Sequence, residues 1–189
     1  MTSVASGFYN IRTRSEPHHW LYAKFEETGE NDRNKFCLLK CDSPNLLQSR
    51  GYFQLIVHSH GEGNQIVSIY SPLYELLLTN EKGMLQFARK KCEMNSRQYK
   101  PDKFKLVTTK KTNTTTTEAG ESGSDEAPQP PTTFMLQSMV FMSGGQQKFV
   151  TDYGYGHLTI AENDGDMNAI ELVLVPSRYM FMFSNICSN

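Results

Sequence analysis

The residues best suited to ligand chemistry surround one turn that is rich in tyrosine and acidic side chains. The candidate ligand-binding residues are Asp152, Tyr153, Tyr155, His157, Asn163 and Asp164. Tyrosine rings can stack on the C–H faces of a sugar, and carboxylate or amide oxygens can accept hydrogen bonds from its hydroxyl groups. The turn is therefore a candidate carbohydrate site. The alternative is an ordinary hairpin turn whose tyrosines close one end of the fold.

A second candidate surface is a basic run in the middle of the chain. Residues 89–111 hold nine Lys and Arg residues against two acidic ones, a local charge of +7, whereas the whole chain has a net charge of −1. The basic residues assigned to a partner-binding patch are Arg89, Lys90, Lys91, Arg97, Lys100, Lys103 and Lys105. Such a run can attract an acidic protein, a sulfated glycan or nucleic acid. Nucleic acid is the least favoured of these, because the chain as a whole is not basic. A solvated loop and strand face is the alternative.

If neither surface binds the ligand, the loop around His18, His19 and Trp20 is the next place to expect it. Catalytic patterns are not found: the sequence has no Gly-x-Ser-x-Gly and no His-Glu-x-x-His segment. Cys37 and Cys41 would share one face of a strand, which suits two small core residues better than a metal pair. We therefore predict no enzymatic activity, no metal and no cofactor.

Both candidate surfaces adjoin a hairpin pattern that occurs twice, at Leu78–Ala88 and at Val150–Ala161. Each copy has an apolar residue, Thr, then Asn or Asp, a short turn, and Gly-x-Leu-x-apolar-Ala. Alternation on both arms around Gly and Asn or Asp is typical of a β-hairpin. Because a hairpin cannot bury its own apolar face, the repeat predicts several hairpins assembled around a shared core.

Alternation of polar and apolar residues continues along most of the chain and predicts three units of four strands, at about 7–61, 65–110 and 133–176. No segment has a sustained helical period, so we predict one all-β domain with threefold pseudo-symmetry. The side chains expected in its core are Leu78, Leu85, Phe104, Val150, Leu158 and Leu172.

Two segments fall outside this pattern. Residues 112–133 are rich in Thr, Pro and acidic side chains without apolar periodicity, which predicts a disordered insertion between the second and third units. Residues 179–187 are apolar and would form an added strand or a tail. The sequence shows no signal peptide or membrane span, which favours the cytoplasm and free cysteines, with leaderless secretion as the alternative.

The three units have similar return strands and late strands at 53–56, 104–107 and 170–173, and they resemble the β-trefoil superfamily. The first unit matches least, because it lacks the Gly before Leu38. The segment 148–161 is most similar to fascin-like, fibroblast-growth-factor-like and interleukin-1-like repeats. The Gln-x-Trp motif of ricin-type lectins is missing, since Trp20 is the single tryptophan. The resemblance implies a six-stranded barrel capped by three hairpins, and a recognition role without catalysis. We expect a protein partner of signalling or cytoskeletal type first, a carbohydrate second, and protease inhibition through an exposed loop third.

Overall fold

The computed structural model describes residues 4–27, 35–59, 64–81, 84–90, 102–109, 133–139, 147–162 and 169–177. These residues form twelve strands and no helix, so the all-β prediction is confirmed. The strands are β1 (Gly7–Thr13), β2 (Trp20–Glu27), β3 (Lys35–Ser43), β4 (Phe53–Ser59), β5 (Asn64–Ser71), β6 (Leu76–Glu81), β7 (Met84–Lys90), β8 (Phe104–Thr108), β9 (Thr133–Ser138), β10 (Lys148–Gly154), β11 (His157–Glu162) and β12 (Leu172–Pro176). The predicted insertion, apart from Thr133, and the apolar tail lie outside the described residues.

A helix capable of crossing a membrane is not found in the part of the chain that the structure describes.

Six of the strands pair in a closed circuit. In order around it, β1 pairs with β4, β4 with β5, β5 with β8, β8 with β9, β9 with β12, and β12 with β1, all antiparallel. The other six form the hairpins β2–β3, β6–β7 and β10–β11. Each hairpin touches the other two through the pairs β3–β7, β7–β11 and β11–β3. The circuit leaves none of its six strands at an open edge.

The registers of these pairs repeat three times along the chain. The equivalent pairs are Tyr9 with Phe53, Val67 with Phe104, and Phe134 with Leu172. The next pairs around the circuit are Leu55 with Ile69, Leu106 with Leu136, and Leu174 with Ile11. Equivalent positions in the three units can therefore be compared residue by residue.

The interior is filled by apolar side chains from all three units. All six predicted core residues are at most 4% exposed, which confirms their burial. Cys37 and Cys41 lie in the same core. Burial raises the pKa of each thiol to about 12, so both stay protonated at neutral pH.

The starts of β6 and β12 depend on the segments that precede them. β6 begins at Leu76, because the preceding residues form a turn with Glu75 in the left-handed region at φ 57°. β12 begins at Leu172, two residues later than the late strand predicted at 170–173. The amide of Ile170 donates to the carbonyl oxygen of Val150 at 3.0 Å, so this segment lies against β10 before the chain enters the barrel.

Candidate functional site

The turn between β10 and β11 is built from residues in the left-handed region. Gly154, Tyr155 and Gly156 have φ values of 106°, 53° and 71°. Glycine adopts such values without a steric penalty, whereas tyrosine rarely does. The carboxylate of Asp152 accepts a hydrogen bond from the amide of Gly154 at 2.8 Å and closes the turn. The local chain therefore holds Tyr155 in one strained backbone conformation at the tip.

The two tyrosines of this turn point into solvent. Tyr153 is 74% exposed and Tyr155 is 96% exposed. The alternative that these rings close one end of the fold is wrong, because a ring left in water adds little burial energy to the fold. Both rings are free to contact a ligand.

The turn is held from below by β3 of the first unit. The amide of Cys41 donates to the carbonyl oxygen of Gly156 at 2.9 Å. A Cβ atom on Gly156 would lie 2.4 Å from the Cβ of Asp42, so only glycine allows this approach. Asp42 is itself fixed by the Tyr22 hydroxyl, which donates to its carboxylate at 2.7 Å. The tip is therefore packed on a strand that begins more than a hundred residues earlier.

A lysine buried beneath the turn contacts two residues of the hairpin, Tyr155 and His157. Lys40 is 4% exposed, and its Nζ donates to the carbonyl oxygen of Tyr155 at 3.3 Å. The same Nζ lies 2.9 Å from Nε2 of His157 and 3.6 Å from a carboxylate oxygen of Glu26. His157, predicted as a ligand-binding residue, thus lies against Lys40. A buried ammonium is costly unless its hydrogen bonds are satisfied. We therefore expect Lys40 to hold the carbonyl oxygen of Tyr155 and the ring of His157 in place, and so to position the turn.

A cleft with a volume of about 450 Å³ opens beside this hairpin. It is lined by Thr13, Arg14, Ser15, His19, Cys41, Asp152, Ala169, Ile170 and Glu171. Nη1 of Arg14 donates to a carboxylate oxygen of Glu171 at 2.7 Å, which joins the loop after β1 to the segment before β12. The cleft therefore brings two sequence candidates together, Asp152 of the tyrosine turn and His19 of the first-unit loop.

The other cleft residues were missed by sequence reasoning. Arg14 and Glu171 are 157 residues apart and meet because β1 pairs with β12 across the junction of the first and last units. No local pattern marks either of them. Asn163 and Asp164, which were predicted for the same site, lie outside the described residues.

The predicted basic patch is described only in part. Arg89 and Lys90 lie at the end of β7, and nothing is described of their side chains, while Lys91, Arg97 and Lys100 lie outside the described residues. Lys103, just before β8, and Lys105, within it, are half-buried. The charge of Lys103 adds to burial in lowering the pKa of His58. The patch stays a prediction.

Equivalent hairpin positions differ between the second and third units. In the second, one carboxylate oxygen of Asp102 accepts hydrogen bonds from the Thr79 hydroxyl and from the amide of Asn80, the latter at 2.8 Å. By the register of the barrel, Thr151 and Ile170 stand at the positions of Thr79 and Asp102. The Thr151 hydroxyl is buried with no hydrogen-bond partner among the described residues. The third unit thus has the apolar side chain of Ile170 on the cleft wall, where the second unit has the carboxylate of Asp102 hydrogen-bonded to its own hairpin.

Among the residues that the structure describes, no three His, Cys, Asp or Glu side chains are grouped closely enough to hold a metal ion.

No protein-family model matches the chain, and no curated protein matches it. Solved structures do resemble it. One is a Caenorhabditis elegans protein of unknown function, with 9% identity, a TM-score of 0.54, and coverage of 92% of this chain and 96% of that one. Another is a Polyporus squamosus lectin bound to the human-type influenza-binding epitope Neu5Acα2-6Galβ1-4GlcNAc, with 8% identity and a TM-score of 0.50. That match covers 92% of this chain and 50% of the lectin chain, so the chain spans half of the lectin's length. At such identities the likeness concerns the fold alone.

Proposed function

We propose that this chain is a non-enzymatic carbohydrate-binding module. Its site is the turn that carries Tyr153 and Tyr155, together with the cleft beside Asp152. The observation that carries the proposal is the exposure of the two rings, 74% and 96%, on a turn that is fixed to β3. Exposed aromatic side chains on a rigid support are what a ligand with an apolar face requires.

The chemistry of the cleft complements those rings. A pyranose offers C–H faces to aromatic rings and hydroxyl groups to hydrogen-bonding side chains. Asp152 uses one carboxylate oxygen for the Gly154 amide, which leaves further acceptor capacity. Ser15 and Glu171 line the same space. The volume of about 450 Å³ falls in the range of about 300–1,000 Å³ that is usual for small-ligand sites.

We also infer that the fold is a β-trefoil. The closed six-strand circuit, the three mutually paired hairpins and the threefold register support this assignment. The Polyporus squamosus lectin of similar fold is a glycan-binding protein by its name and its bound epitope. This lectin supports the proposal that a chain of similar fold can bind a glycan, but it does not indicate which surface of this chain would do so.

A protein partner of signalling or cytoskeletal type is the second candidate function. The observation in its favour is an apolar patch, defined by Phe25, Leu73 and Tyr74. Phe25 and Leu73 are 44% and 39% exposed, and the rings of Phe25 and Tyr74 meet edge-to-face at 4.8 Å. Exposed aromatic side chains are enriched at protein interfaces. Residence in the cytoplasm, where such a partner would be met, stays a prediction.

A glycan array with two matched variants tests the choice. Tyr155→Ala should abolish glycan binding at an unchanged denaturation midpoint, because the ring is 96% exposed and supports no packing. Phe25→Ala removes an exposed ring from the apolar patch and should leave glycan binding intact. Full retention of array binding by Tyr155→Ala would contradict the site. If Phe25→Ala loses a protein partner in a pull-down and Tyr155→Ala keeps it, the protein-partner function is favoured.

A further inference from the structure

We propose that the cleft selects uncharged glycans over glycans that carry a carboxylate or sulfate group. This inference rests on the proposed carbohydrate function and specifies the class of sugar that the same site accepts. It follows from the arrangement of charged side chains around the cleft, where one acidic group has no cationic partner among the residues that the structure describes.

The arginine of the cleft is already neutralised. Nη1 of Arg14 lies 2.7 Å from a carboxylate oxygen of Glu171, with side chains that are 53% and 39% exposed. The backbone reinforces the pair, since the amide of Arg14 donates to the carbonyl oxygen of Glu171 at 2.9 Å. A sialic acid or sulfate would have to compete with Glu171 for the guanidinium.

The carboxylate of Asp152 has no such compensation. Its hydrogen bond comes from the neutral amide of Gly154, and no cationic side chain in the described part of the chain forms an ion pair with it. Asp42 places a second carboxylate on β3, next to Cys41 in the sequence. Both negative charges act on the thiol of Cys41, which lines the cleft. Burial raises the pKa of its thiol to about 12, and the charges of Asp152 and Asp42 add to this increase.

The ligand must therefore bring hydrogen-bond donors and no negative charge. Hydroxyl groups of a neutral sugar can donate to the oxygens of Asp152 and Glu171. An anionic substituent would meet the same oxygens as a like charge, in a cleft where protein replaces part of the screening water.

The direct test is an array in which each neutral oligosaccharide is printed beside its sialylated and its sulfated derivative. We expect the derivatives to bind about tenfold more weakly at low salt, since one contact between like charges is of that order even in a high-dielectric medium. The difference should shrink as salt is raised, because salt screens repulsion but does not enlarge a cleft. A difference that is independent of salt would indicate steric exclusion and overturn the electrostatic inference.

Two variants of the ion pair sharpen the result. Glu171→Gln frees the Arg14 guanidinium and should raise binding of the acidic derivatives relative to the neutral parents. Arg14→Gln, the matched control, removes the cation and should not raise it. Wild-type binding of acidic glycans that equals or exceeds that of their neutral parents would overturn this inference alone. Failure of every glycan, neutral or acidic, to bind would overturn the proposed function as well.

Discussion

Nζ of Lys40 lies 2.9 Å from Nε2 of His157, two residues that are 117 positions apart in the sequence. With the ammonium as donor, the imidazole accepts at Nε2. The contact connects β3 of the first unit to β11 of the third, and the same Nζ donates to the carbonyl oxygen of Tyr155 at 3.3 Å. The tyrosine turn of the third unit is thus positioned by a strand of the first.

Replacing Lys40 should therefore weaken both the fold and the ligand site. Lys40→Met leaves the carbonyl oxygen of Tyr155 and the ring of His157 without their shared donor, which costs about 1–3 kcal/mol of unfolding free energy. We expect glycan affinity to fall as the turn loosens. Lys24→Met is the matched control: Lys24 also lies near Glu26, at 3.7 Å, but its side chain is 46% exposed. Exposed replacements usually change stability by less than about 0.5 kcal/mol. Equal midpoints for the two variants in urea would contradict the role of Lys40.

The shared core of the repeated hairpins predicts how much stability is lost when a buried leucine is truncated. Leu85 and Leu158 occupy matching positions in the returns of two hairpins, at 1% and 4% exposure. Leu85→Ala and Leu158→Ala should each lower the free energy of unfolding by about 2–5 kcal/mol, because each leaves a cavity in the shared core. Met84→Ala, at a side chain that is 47% exposed, should have a small effect. Near-wild-type midpoints for both leucine variants in chemical denaturation would rule out a common core.

The two equivalent threonines should respond in opposite ways to the same replacement. Thr79→Val removes the hydroxyl that donates to Asp102 and should cost about 1–3 kcal/mol, since the carboxylate loses a partner. Thr151→Val removes a buried hydroxyl that has no partner among the described residues, so stability should be unchanged or higher. Urea denaturation of both variants checks this. A loss at Thr151 as large as that at Thr79 would show that its hydroxyl is hydrogen-bonded after all.

The raised pKa values of the buried thiols predict that the free energy of unfolding falls at high pH. Burial raises the pKa of Cys37 and Cys41 from 9.0 to about 12, so their thiols ionise more readily in the unfolded chain. Their stabilising effect is fully present below about pH 9 and is lost as the pH rises towards 12. Tyr22, whose pKa rises from 10.0 to about 12, acts in the same direction. The free energy of unfolding, measured at several pH values, should decline less steeply in a Cys37→Ala, Cys41→Ala double variant. An unchanged slope would mean that the thiols do not titrate differently in the two states.

The strands and the tyrosine turn could be predicted from the sequence because both depend on neighbours along the chain. Alternation at 148–161 reports which face of a hairpin is buried, and the glycines around Tyr155 mark the turn. The partners of the turn could not be predicted in this way. Lys40 and Glu171 reach the site only through strand pairings between the first and third units, and nothing in their local sequence distinguishes them from other charged residues.

The proposed carbohydrate site is tested most directly by titrating ¹⁵N-labelled protein with the strongest glycan found on the array and following the amide chemical shifts. We predict shifts in the tyrosine turn, at 152–157, and at residues 13–15, 19 and 169–171, which line the cleft together with Asp152. They should be absent from Tyr155→Ala at the same glycan concentration. Shifts confined to the apolar patch of Phe25, Leu73 and Tyr74, with the tyrosine turn unaffected, would contradict a carbohydrate site at that turn.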